Sequence, residues 1–159
     1  MKNVIVVLCL VMGVFSVQAQ SIMEQAASNP DLSTFVTACK AADLQATLEG
    51  EGPYTVFAPS NDAFAALTAG TLESLLLPEN KDQLVAILSY HVIPGKVSSM
   101  DVTEGKSPTV QGEEIDITVD ADDVIKINNA TVSEADLEAA NGVLHVIDAV
   151  IMPPSQLKN

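Results

Sequence analysis

Two histidines, two cysteines (one of them, Cys9, inside the N-terminal apolar run) and a large surplus of carboxylates are the groups with which this 159-residue chain could do chemistry. His91 and His145 belong to no H-x-x-x-H pair, and Cys39 has no second cysteine near it, so the spacing a zinc site needs is missing. Asp120, Asp122 and Asp123 lack the glycine and terminal glutamate of a calcium loop and read instead as a charged hairpin turn. Serines are present, but none sits in a G-x-S-x-G elbow, and scattered serines with a lone histidine do not make a triad. The residue types therefore point to no metal, no cofactor and no enzyme.

The surroundings of the two histidines point to structure. His145 and Asp148 interrupt Asn141 to Pro154, an otherwise apolar run rich in β-branched residues and too short for a membrane span. His91 closes a helical face formed by Leu84, Ile87 and Leu88. Polar groups persist in such places only when something pairs with them, so both histidines read as satisfied core residues. Cys39 shares a face with Leu32, Phe35 and Val36 at i, i+3, i+4 and i+7 spacing, which makes it an inward-pointing, inert thiol.

The elements that carry these residues follow from local signals. Asn29-Pro30 is a helix start, and Leu44 and Leu48 mark a second short helical segment ended by Gly50, Gly52 and Pro53. Tyr54 to Ala58 has strand composition, and Pro59 stops it. Ser60 then caps a helix whose first turn holds Asp62. Helices over Thr71–Leu77 and Glu79–Tyr90 follow, the second entered through Pro78. After Pro94-Gly95 the period becomes two: Ile115, Ile117 and Val119 alternate with polar residues, Val124 to Ile127 returns, and Ala130 to Ser133 comes next. Helices first and strands second imply an α+β fold.

The N-terminus, a lysine followed by the apolar run Val4–Phe15 and then Val17-Gln18-Ala19, reads as a signal peptide over residues 1–19, leaving a single domain over 20–159. The expected location is secreted, extracellular or periplasmic. Asp plus Glu number 21 against seven lysines, with no arginine, for a formal net charge of -14. Such a field opposes nucleic acid and anionic membrane surfaces, which are bound through Lys and Arg clusters. Acidity of this kind keeps an exported protein soluble.

Three segments in order resemble the fasciclin (FAS1) domain family: Tyr54-Thr55-Val56-Phe57-Ala58-Pro59-Ser60-Asn61-Asp62-Ala63-Phe64 as a first signature box, Tyr90-His91-Val92-Ile93-Pro94-Gly95 as the tyrosine-histidine motif, and Asn141 to Pro154 as a second box. The resemblance implies a wedge of two small β-sheets packed against a bundle of short helices, with Val56-Phe57-Ala58 beside Val143 to Ile147. It also implies an adhesion or matrix and biofilm module that binds a cell-surface or matrix protein or a polysaccharide; the expected state is a monomer. Partner-binding positions carried over from the family are Tyr90, His91, Asp136 and Leu137, the last standing where the family has Ile. Asp62, His145 and Asp148 are expected to form a structural polar core in which Asp62 pairs with His91 or His145. The alternative function is a small-ligand carrier with a pocket between helices and wedge.

Overall fold

A computed structural model of the chain describes residues 20–50, 52–68 and 70–156. The expected signal peptide lies outside these residues. Helix α1 (Ile22–Ser28) opens with a capping box in which the Ser21 hydroxyl accepts from Glu24 N–H and the Glu24 carboxylate accepts from Ser21 N–H. Asn29 and Pro30 start a 3-10 turn, Pro30–Leu32, that runs into α2 (Ser33–Ala41). Leu32, Phe35, Val36 and Cys39 are all buried, as their spacing predicts.

The N-terminus of α2 has no cap from its own flank. Asn61 supplies one from across the chain, accepting from Thr34 N–H at 3.0 Å through Oδ1 and donating from Nδ2 to the Pro30 carbonyl at 3.0 Å. Asn61→Ala should therefore lower stability by about 1–2 kcal/mol, the scale of a lost helix cap, measured by urea unfolding.

Helix α3 (Gln45–Leu48) precedes strand β1 (Tyr54–Pro59), and α4 (Asn61–Ala65), α5 (Thr71–Leu75) and α6 (Lys81–Tyr90) lead to β2 (Val92–Pro94). Five further strands follow among the described residues: β3 (Gly105–Pro108), β4 (Glu114–Val119), β5 (Ile125–Ile127), β6 (Ala130–Ala139) and β7 (Gly142–Ile147). Their order across the sheet is β2-β1-β7-β6-β5-β4-β3. β1 and β7 pair in parallel, with Val56 opposite Leu144 and Phe57 opposite His145, while the other neighbours are antiparallel.

The two expected small sheets are joined, because β6 serves both. Ala130 and Thr131 pair with β5, and Val132 to Ala139 pair with β7. Two cores result. Val56, Ala58, Leu144 and Val146 face the helices, and Phe57 and Ile147 face a second core with Ile115, Ile117 and Ile127. Strands buried on both faces carry apolar residues at successive positions, which is why Gly142 to Ile147 shows no alternation.

The structure corrects the expected end of the strand at Ser133. Asp136 and Leu137 lie within β6, where the register slips twice and Asp136 adopts φ +60°. An irregularity of this kind disrupts the period-two pattern by which a strand is recognised, and Glu134, Asp136 and Glu138 complete the disguise.

Candidate functional site

The chain leaving β2 crosses three adjacent strands, β1, β7 and β6, and a polar side chain from each of them holds it. The Thr55 hydroxyl of β1 donates to the Gly95 carbonyl at 2.7 Å and accepts from Val97 N–H at 2.8 Å. His145 of β7 donates from Nε2 to the Val97 carbonyl at 2.9 Å. Asp136 of β6 accepts from Ser99 N–H at 2.7 Å and from the Ser99 hydroxyl. Residues 95–101 thus form a strap pinned across the sheet, ending in a turn in which the Ser98 hydroxyl donates to Asp101 at 2.8 Å.

His145 links strap and strand. Its Nδ1 accepts from Asp136 N–H at 3.2 Å, so the ring is the neutral Nε2–H tautomer, and it stacks on Phe57 with centroids 5.4 Å apart. Burial pushes its pKa below the ordinary histidine value. The two Ser99 donors hold the Asp136 carboxyl below its ordinary value. With both ring nitrogens engaged by backbone, His145 offers no lone pair to a metal and no free base.

His91 is held in the opposite tautomer. Its Nδ1 donates to the Ile87 carbonyl at 2.7 Å, and Nε2 accepts from Ile151 N–H at 3.2 Å. Burial lowers its pKa to about 4. Tyr90 is also buried, its hydroxyl donating to the Glu114 carbonyl at 2.9 Å and accepting from Asn128 at 3.0 Å. Neither Tyr90 nor His91 presents a side chain to a partner in the folded protein, which corrects their expected place on a binding surface. Asp136 is exposed, and Leu137 is half-buried against the helical core.

Asp62 is corrected as well. It is exposed in the first turn of α4, and the bonds of both histidines go to backbone groups elsewhere. Asp62→Ala should change stability by no more than about 0.5 kcal/mol in urea unfolding, as for other surface positions without a buried partner. Asp148 fastens β7 to β6 from the surface and not from the core: it is exposed, and its carboxylate accepts from Thr131 N–H at 2.8 Å.

An open cleft of about 430 Å3 is lined by Asn29, Asp31, Asn61, Asp62, Glu134 and Asp148 among others. It is polar, whereas the carrier reading needed an apolar pocket between helices and sheet; there, side chains of α2, α6, β1 and β7 pack together. Among the described residues no group of three His, Cys, Asp or Glu could hold a metal ion, and no helix is long and apolar enough to cross a membrane.

Three anchoring residues escape sequence reasoning. Thr55 sits in an apolar strand, Ser99 in an unpatterned loop, and Asn141 reads as half of a turn. Asn141 in fact accepts from Ile22 N–H at 3.0 Å and donates to the carbonyls of Leu48 and Gly50, tying α1 and α3 to the start of β7. A polar residue inside an apolar run is the one signal that could have marked Thr55.

A family model of the Fasciclin domain matches residues 30–153. The chain is 58% identical over 136 residues to the Synechocystis protein sll1483, covering 86% of this chain and 75% of that one. It is 38% identical over 136 residues to the cell surface glycolipoprotein MPB83 of Mycobacterium bovis, covering 82% of this chain and 60% of that one. Among solved structures it is similar to a FAS1 domain pair from the insect cell adhesion molecule fasciclin I, with a TM-score of 0.75 at 18% identity. That alignment covers 86% of this chain and about half, 52%, of the pair.

Proposed function

The chain belongs to the fasciclin-domain family, and on that premise we propose that it is a secreted, monomeric, non-enzymatic adhesion or matrix-interaction module. Its contact surface is the Asp136–Leu137 bulge together with the strap laid against it. The observation that carries this reading is the fixed presentation of Asp136: the residue is exposed, its backbone is bent to φ +60°, and Ser99 orients its carboxylate. A contact group already held in place loses little freedom on binding. Cell-surface or matrix proteins and uncharged polysaccharides suit a chain of net charge -14, which polyanions would avoid. Relatives found at a cell surface and in a cell adhesion molecule support the setting.

Attachment assays on the source cells test the proposal. Deletion should reduce surface attachment or aggregation, and the wild-type protein should restore it. Asp136→Asn, which tolerates positive φ, should fold normally and restore it poorly. Undiminished attachment in the deletion strain would overturn the adhesion reading, and full rescue by Asp136→Asn would move the contact surface elsewhere.

A further inference from the structure

The strap ends in a side chain that nothing in the fold uses. Met100 is 93% exposed, in the middle of the turn that Ser98 and Asp101 close and that Ser99 pins to Asp136. Of the other described methionines, Met23 is 3% exposed, packed in the helical core, and Met152 is half-buried. Cys39, the cysteine among the described residues, is fully buried, and burial pushes its thiol up to about 12, so it carries no reactive thiolate.

We propose that Met100 is a modification site for peroxide-class oxidants, taking up one oxygen atom to become the sulfoxide. A sulfur lone pair attacks one peroxide oxygen, the O–O bond breaks and an S–O bond forms; the hydroxyl now on sulfur gives its proton to the departing hydroxide, which leaves as water. Sulfur is oxidised by two electrons and the peroxide is reduced by two. Access of the oxidant to the thioether decides which methionine reacts, and the pinned turn holds this one in solvent. Oxidation turns the apolar tip of the residue that follows Ser99, the partner of Asp136, into a polar one. The hydrogen bonds of the strap run through Gly95, Val97, Ser98, Ser99 and Asp101, so the fold does not depend on the sulfur.

Hydrogen peroxide added to the purified full chain, with digestion and mass spectrometry over time, tests this. The mass of one oxygen should appear on the Met100 peptide at least roughly tenfold faster than on those of Met23, Met152 or Cys39, following their difference in access. The melting temperature of the singly oxidised protein should match that of the untreated protein, and Met100→Leu should remove the fast phase. Equal or faster oxidation of Met23, Met152 or Cys39 would overturn the proposal. So would a drop in melting temperature that tracks oxidation of Met100, since it would mean the sulfur is packed.

Discussion

Gly142→Ala is expected to cost the protein a large share of its stability. A Cβ at this position would overlap the Tyr54 carbonyl oxygen and lie 2.7 Å from the Tyr54 carbonyl carbon and 2.9 Å from its nitrogen. These are backbone atoms, and they cannot swing aside as a side-chain tip would. Tyr54 is also the residue opposite Gly142 in the parallel ladder, and its N–H is bound to the Asn141 carbonyl at 2.9 Å. Relief of the clash therefore requires splitting the first rung between β1 and β7. The loss should exceed about 4 kcal/mol, the range reserved for severe core disruption, against a typical total of about 5–15 kcal/mol. Far-ultraviolet circular dichroism with urea unfolding reads it directly. Gly95→Ala is the matched control: it also has positive φ, at +108°, but no atom beyond its chain neighbours lies within 4 Å of the added carbon. Its cost should stay at about 1–2 kcal/mol from backbone strain alone. If Gly142→Ala melts no lower than Gly95→Ala, the close approach of the two strands is wrong.

Acid should weaken the fold through His91. Burial depresses its folded pKa to about 4, and the unfolded chain takes up a proton near the ordinary value of 6.5. Above 6.5 both states are neutral and the contribution is complete. As pH falls the unfolded state binds the proton first, so stability declines through this interval and is lost by the time pH passes the folded pKa. A gap from 6.5 to about 4 corresponds to roughly 3 kcal/mol at about 1.4 kcal/mol per pH unit. His145 is shifted in the same direction and adds to the decline. Geometry supplies the reason in both cases. Each ring accepts a backbone N–H, from Ile151 or from Asp136, and a protonated ring has no lone pair left to accept it. Urea midpoints at pH 7, 5.5 and 4 should fall steadily. Histidine ring signals followed by NMR separate this effect from titration of the surface carboxylates, and a His91 signal titrating near 6.5 in the folded protein would sink the prediction.

What could be read from the residues alone divides along physical lines. Helix faces were legible because their signal is local: the spacing of Leu32, Phe35, Val36 and Cys39 carries its own geometry, and so does that of Leu84, Ile87, Leu88 and His91. The placement of β1 beside β7 came from the family resemblance, since no local pattern brings Phe57 to His145. Tyr90 and His91 show the two sources in conflict. Periodicity put His91 on a buried face, the family motif put both on a binding surface, and burial decided for the former. The strap was not legible at all. It depends on Thr55, His145 and Asp136 lining up across three strands, the first of them far in sequence from the other two. Asp62 failed for the opposite reason: its place in the first turn of a helix already accounted for a carboxylate, and no buried partner was needed.

The parallel pairing of the first strand with the last also governs when this chain can fold. β1 and β2 can meet early, but the second edge of β1 is satisfied only by Gly142 to Ile147, near the C-terminal end of the described residues. Contacts of such long sequence separation slow folding, because the intervening chain must be ordered before they can form. A growing or threading polypeptide would therefore stay without its central ladder until the last strand is free. A chain that completes its fold only when its final strand arrives can be passed through a narrow pore in extended form and take shape on the far side.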